Sequence, residues 1–160
     1  MKHAKSHEPK HMPMHWNRLL LMGGLHFLLM FILMYAMVDS LDNVLPNLNQ
    51  AYMAAIMTSP MLVLEVWLMG SMYENKRALW AILAGSVLVF AAAFTFIRQQ
   101  TAIGDGEFLR SMIPHHGAAI LMCEQAPIED TQVQDLCQRI ITGQQAEIEE
   151  MKQIMERMDR

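Results

Sequence analysis

Three long apolar stretches, nearly free of charge, decide what this chain can become. Residues 19–38 and 79–97 contain no Asp, Glu, Lys or Arg, and residues 51–72 contain only Glu65. Each is close to the ~20 residues that an α-helix needs to cross about 30 Å of hydrocarbon. Backbone inside lipid must bond to itself, which leaves the helix as the form available. The sequence therefore predicts three transmembrane helices, the second kinked at Pro60. The first is too long, and too poor in small residues at its end, for a cleaved signal peptide.

Charge divides the rest. Lys2, Lys5, Lys10 and Arg18 against Glu8 make residues 1–18 basic, and the residues after 98 are strongly acidic; the whole chain carries −4. With 53% hydrophobic and 18% charged residues and two cysteines, the composition excludes a disordered chain, a basic nucleic-acid binder and a disulfide-dense scaffold. Lys and Arg favour the cytoplasmic side. They lie in the tail and at Lys76 and Arg77, and are absent from residues 39–50. This predicts a cytoplasmic His/Met-rich tail (1–18), a three-helix membrane region (19–98) and an extracytoplasmic domain (99–160). Trp16, Trp67 and Trp80 would mark the inner interface, Tyr35 and Tyr52 the outer one. In a bacterial inner membrane, outside means the oxidising periplasm.

From Asp105 the apolar positions fall at helical spacing: Phe108, Met112, His115/His116, Ala119, Met122/Cys123. Asp105 is the expected cap, and Pro114 the expected bend. Residues 127–130 break the pattern. Asp130 or Thr131 then starts a second helix, with Thr131 and Gln134 spaced as a capping box. Two helices joined by a short turn pack antiparallel. A hairpin of this size buries little core, so a second copy is expected to complete a four-helix bundle. The fold class is all-α, three transmembrane helices followed by an antiparallel hairpin.

The run from Phe108 to His116, then Ala119 and Met122, then Gln144, Glu147, Ile148 and Met151, resembles the family known as domain of unknown function 305. The likeness covers about residues 104–158. It implies a ferritin-like helical fold and periplasmic metal binding, most often of copper, by His and Met side chains.

Thioether and imidazole suit Cu(I), while Mg and Ca prefer oxygen. A turn near residue 129 would bring Met112 opposite Glu147 and His115 opposite Gln144. The candidate metal residues are His115, His116, Met112, Met122, Gln144, Glu147 and Met151. Other transition metals stay open, as does the plainer reading of a hydrogen-bonded histidine pair with methionine as core filler. Cys123 and Cys137 lie at similar distances from the turn. They are a disulfide, reduced core residues or soft ligands. No nucleophile–base pair or phosphate loop occurs, and the Glu-x-x-His of di-iron bundles occurs only at Glu8–His11. Catalysis is not expected.

Methionine is the compositional outlier, 17 in 160 residues. Met22, His26, Met30, Met34 and Met37 step along the first helix, and Met53, Met57, Met61, Glu65 and Met69 along the second. Antiparallel pairing about residues 45–46 would set Met22 against Met69, His26 against Glu65, Met30 against Met61 and Met34 against Met57. The drift of a four-residue row around the helix lets only the middle rungs meet. His26 and Glu65, both costly in lipid, are expected to pair. In the tail, His3, His7, His11, Met12, Met14 and His15 form a further ligand-rich cluster. The reading that follows is a membrane-anchored Cu(I)-binding protein for capture, hand-over or tolerance. Its expected partners are lipid, a second copy and a copper-exchanging protein, with no nucleic acid. The alternatives are a copper transporter subunit using the membrane stripes and a structural oligomerisation module.

Overall fold

The computed structural model describes residues 16–73 and 75–160; the tail cluster lies outside them. Among these residues five α-helices follow in order: α1 Trp16–Leu33, α2 Leu48–Met69, α3 Lys76–Gln99, α4 Asp105–Gln125 and α5 Thr131–Met158. No strand occurs among the described residues. The stretches Asn17–Met37, Leu48–Met69 and Lys76–Gln99 are each long and apolar enough to cross a membrane. Leucines 20, 21, 25, 28 and 29 on α1 and Val87, Leu88, Phe94 and Phe96 on α3 stay exposed, the surface that lipid would cover.

Polar side chains define the helix starts. The Asn47 side chain accepts from Gln50 N at 3.0 Å, Asn75 from Arg77 N and Ala78 N, and Asp130 from Gln132 N and Val133 N. Each supplies an acceptor for N–H groups that have no partner inside the helix. Two expected caps differ. Gly104 occupies the α4 cap position, leaving Asp105 and Glu107 in the first turn, where their charge suits the helix dipole. At α5 the Gln134 amide donates to the Ile128 carbonyl at 2.8 Å, so it serves the incoming loop in place of a capping box.

The membrane-length helices pack in sequence, α2 against both α1 and α3. Their core gathers Leu19, Val66 and Tyr73, with Met22 and Met69 packed against it. Burial first, and then the charge of Glu65, holds the Tyr73 phenol above its usual pKa.

Met22 and Met69 pack against one core, as their expected pairing allows, but two other α1/α2 rungs differ from the expected register. His26 shares a groove with Met61, and Met34 shares a cavity with Met53. Both matches lie one helical turn from the expected partners, Glu65 and Met57. Among the described residues no hydrogen bond or ion pair joins His26 to Glu65. The cause is the connection. The chain leaves α1 through a 3-10 turn, Met34–Met37, and reverses at a second, Leu41–Asn43, short of the midpoint at residues 45–46.

The hairpin core is Leu109, Ile113, Ile120, Ile148 and Met151. Leu45, from the α1–α2 connection, packs onto it. Part of the cover that the sequence assigned to a second copy thus comes from the same chain.

Several polar contacts fix the hairpin to the membrane-length helices. The Glu107 carboxylate accepts from Leu48 N at 2.9 Å, placing negative charge on the α2 N-terminus. Asn49 donates to Ser111 Oγ at 3.1 Å and exchanges hydrogen bonds with Gln100. Tyr52 donates to the Thr101 carbonyl at 2.8 Å. Pro114 has no N–H for the Arg110 carbonyl one turn back, and the Asn47 amide reaches that carbonyl at 3.3 Å. At Gly117 an added Cβ would collide with the Asp39 carboxylate, so the loop approaches α4 where no side chain intervenes.

Candidate functional site

Residues 112–116 run through the middle of α4, on the helix that the Asn47 and Glu107 contacts hold in place. Successive residues in an α-helix point about 100° apart, so His115 and His116 diverge. Their ring centroids lie 6.3 Å apart with planes at 61°.

His116 turns inward and is 7% exposed. Its Nδ1 lies 3.0 Å from the Met112 carbonyl, and its Nε2 lies 2.7 Å from Glu147 Oε2 on α5. A carbonyl oxygen can only accept, so Nδ1 carries a proton. Nε2 then faces a carboxylate oxygen at hydrogen-bond distance. One proton lies between the two atoms. A histidine that binds metal through one nitrogen commonly donates the other N–H to a backbone carbonyl, the bond Nδ1 makes here.

His115 points away from α5. It lines a cavity of about 330 Å³ between the hairpin and the ends of α1 and α2 nearest to it, together with Met34, Met37, Met53 and Met112. The candidate residues are therefore divided between two places, His116 with Glu147 in one and His115 in the other. Gln144 lies one turn before Glu147 on the same face of α5, and its buried Oε1 has no hydrogen-bond partner among the described residues. Met112 joins both places, by its carbonyl to His116 and by lining the cavity. Met151 is buried in the hairpin core. Met122 is exposed and lines neither place.

Cys123 and Cys137 are joined as a disulfide. It closes the hairpin beyond the histidines and removes both sulfurs from any set of thiolate ligands. Among the described residues no three His, Cys, Asp or Glu side chains converge as a metal site; any larger donor set must draw on thioether or amide groups. The sequence reading did not join Met34, Met37 and Met53 to the hairpin histidines. The signal available was Asn43, Asn47 and Asn49, polar residues clustered between two apolar stretches.

Fold and site define a class: an all-helical protein in which three membrane-length helices carry a disulfide-closed hairpin with a buried histidine held by an exposed carboxylate. Residues 96–160 match the family described as domain of unknown function (DUF305). An uncharacterized protein of Acanthamoeba polyphaga mimivirus is 32% identical over 120 residues, covering 74% of this chain and 77% of that protein. That alignment is longer than the matched domain, so the likeness continues into residues before 96. No solved structure matches. The chain belongs to the DUF305 family.

Proposed function

We propose that the protein is a membrane-anchored Cu(I)-binding protein that captures or hands over the ion through histidine and methionine side chains of the α4–α5 hairpin. The observation that carries this reading is the His116 arrangement: Nδ1 bonded to the Met112 carbonyl, and Nε2 at 2.7 Å from Glu147. A transition-metal ion with bonds of about 2 Å to nitrogen and oxygen takes the place of the shared proton after a small rotation of the exposed carboxylate. Met112, on the same turn, offers a soft thioether, and His115 offers a further imidazole toward the neighbouring cavity. Thioethers need no deprotonation, so such a site works in mildly acid surroundings.

The disulfide supports a hairpin outside the cytoplasm. The three membrane-length helices then serve as the anchor in a cell membrane, with Lys76 and Arg77 on the inner side. A second copy packed on the exposed Val133 and Leu136 would extend the hairpin to a four-helix bundle.

The test replaces both His115 and His116 by Ala in the full chain. Cu(I) affinity, read by chelator competition, is expected to fall at least tenfold, about 1.4 kcal/mol, with helical content unchanged. A folded double variant that binds as tightly as the parent defeats the reading. If the hairpin serves only oligomerisation, Cu(I) will give the unaltered chain no thermal shift. A second reading, ion passage along the α1/α2 seam, is favoured by Met34 and Met53 lining one cavity. It predicts that replacing Met30 and Met61 by Leu lowers copper flux into vesicles while binding persists.

A further inference from the structure

The cavity between the hairpin and the membrane-length helices brings together side chains from three separate segments. Met34 and Met37 come from the turn that ends α1, Met53 from α2, and Met112 and His115 from α4. Local geometry explains the first two. In a 3-10 helix residues three apart eclipse one another, so the change of helix type at Met34–Met37 stacks the two side chains on one edge. The early reversal of the chain then sets Met53 beside Met34.

The walls leave few groups free to hold a ligand. The Asn47 amide is engaged by the Leu45 and Arg110 carbonyls, and Asn49 by Gln100 and Ser111. His115 makes no hydrogen bond among the described residues. Met37 and Met53 remain 52% and 38% exposed, so neither is spent filling a core. The free Lewis bases facing the space are four thioethers, one imidazole and the side-chain amide of Gln50. The thioethers are neutral and soft, and no carboxylate lines the space. Neutral donors leave an ion's charge uncompensated, and the desolvation cost grows steeply with charge. The set therefore selects a soft monovalent ion over Zn or Mg.

We propose that this cavity is a second soft-metal site, in which Met34, Met37, Met53, Met112 and His115 hold Cu(I) or Ag(I) between the membrane-length helices and the hairpin. The choice of ion rests on the copper-binding reading of the hairpin. The site extends that reading by giving the ion a waiting position one imidazole away from His116.

The experiment uses the full chain in lipid nanodiscs with Cu(I), and compares Met34→Leu/Met37→Leu/Met53→Leu with His116→Ala. The unaltered chain is expected to bind an ion with sulfur-rich X-ray absorption. The triple variant should lose that sulfur signature and bind the ion at least tenfold more weakly, while His116→Ala retains both. If the triple variant keeps its sulfur scattering, affinity and stoichiometry, the cavity is not a metal site. Should His116→Ala alone lose copper, the hairpin reading stands and this one falls; should the unaltered chain bind none, both fall. A measurement without variants covers the case of a misfolded triple. Ag(I) should protect Met34, Met37 and Met53 from peroxide oxidation, mapped by mass spectrometry, relative to exposed Met158. Equal oxidation with and without Ag(I) overturns the proposal.

Discussion

The side-chain amide of Asn47 donates to the backbone carbonyl of Arg110 at 3.3 Å, filling the vacancy that Pro114 creates one turn later in α4. A residue that weakens a helix locally thus becomes the point where the hairpin is fastened to the α1–α2 connection. Asn47 also caps α2 and donates to the Leu45 carbonyl, so one side chain serves α2, α4 and the α1–α2 connection.

Replacing Asn47 by Ala removes a cap and leaves a carbonyl without a partner, together about 2 kcal/mol of stability. In a Pro114→Ala background the restored N–H can serve the Arg110 carbonyl, and the same replacement should cost less. A double-mutant cycle by thermal or denaturant unfolding reads the difference. Strictly additive effects would show that the two residues do not share that carbonyl.

Gly117→Ala should destabilise the chain by about 1–3 kcal/mol, because the new Cβ meets the Asp39 carboxylate and the loop must shift. Shortening the neighbour with Asp39→Ala should recover part of the loss, despite removing the acceptor of the Asn43 amide. Melting temperatures of the single and double variants decide it; no recovery points to a collision elsewhere.

Glu147→Ala should change stability by less than about 1 kcal/mol, because the carboxylate side of the pair is 62% exposed and solvent screens it. Copper affinity should fall all the same. Chelator competition beside a thermal melt separates the two effects. A large loss of stability with unchanged affinity would make the pair a structural contact.

Purified in air, the chain should contain no free thiol, and reduction should lower the stability of the hairpin. The cysteines are 14 residues apart, and closing a loop of that length is worth about 3 kcal/mol in the chain-entropy view. Alkylation followed by intact mass, with and without reductant, reads the thiols. Two alkylated cysteines in untreated protein would remove the disulfide.

The helices themselves were legible in the sequence, because length, hydropathy and Asn or Asp caps act locally. The hairpin boundaries near 105 and 131 follow from Gly, Asp and Pro at the right offsets. Less legible was anything that depends on how the connections turn. The α1/α2 register moved one turn because two short 3-10 segments shape the loop, and neither has a strong composition signal. The separation of His115 from His116 follows from helix geometry, but which ring faces α5 depends on packing about Ile113 and Ile120. The joining of Met34, Met37 and Met53 to the hairpin was hidden for a related reason. It needs Asn47, Asn49 and Glu107 acting across some sixty residues of chain, which no periodicity reveals.

The span of α4 from the carbonyl held by Asn47 to the two imidazoles is a fixed count of residues, and that count works like the teeth of a gear. One residue inserted between Arg110 and His115 would turn both rings by about 100°, carrying His116 off its carboxylate and His115 out of its cavity. Side-chain chemistry in this segment can drift by substitution, but its length is locked.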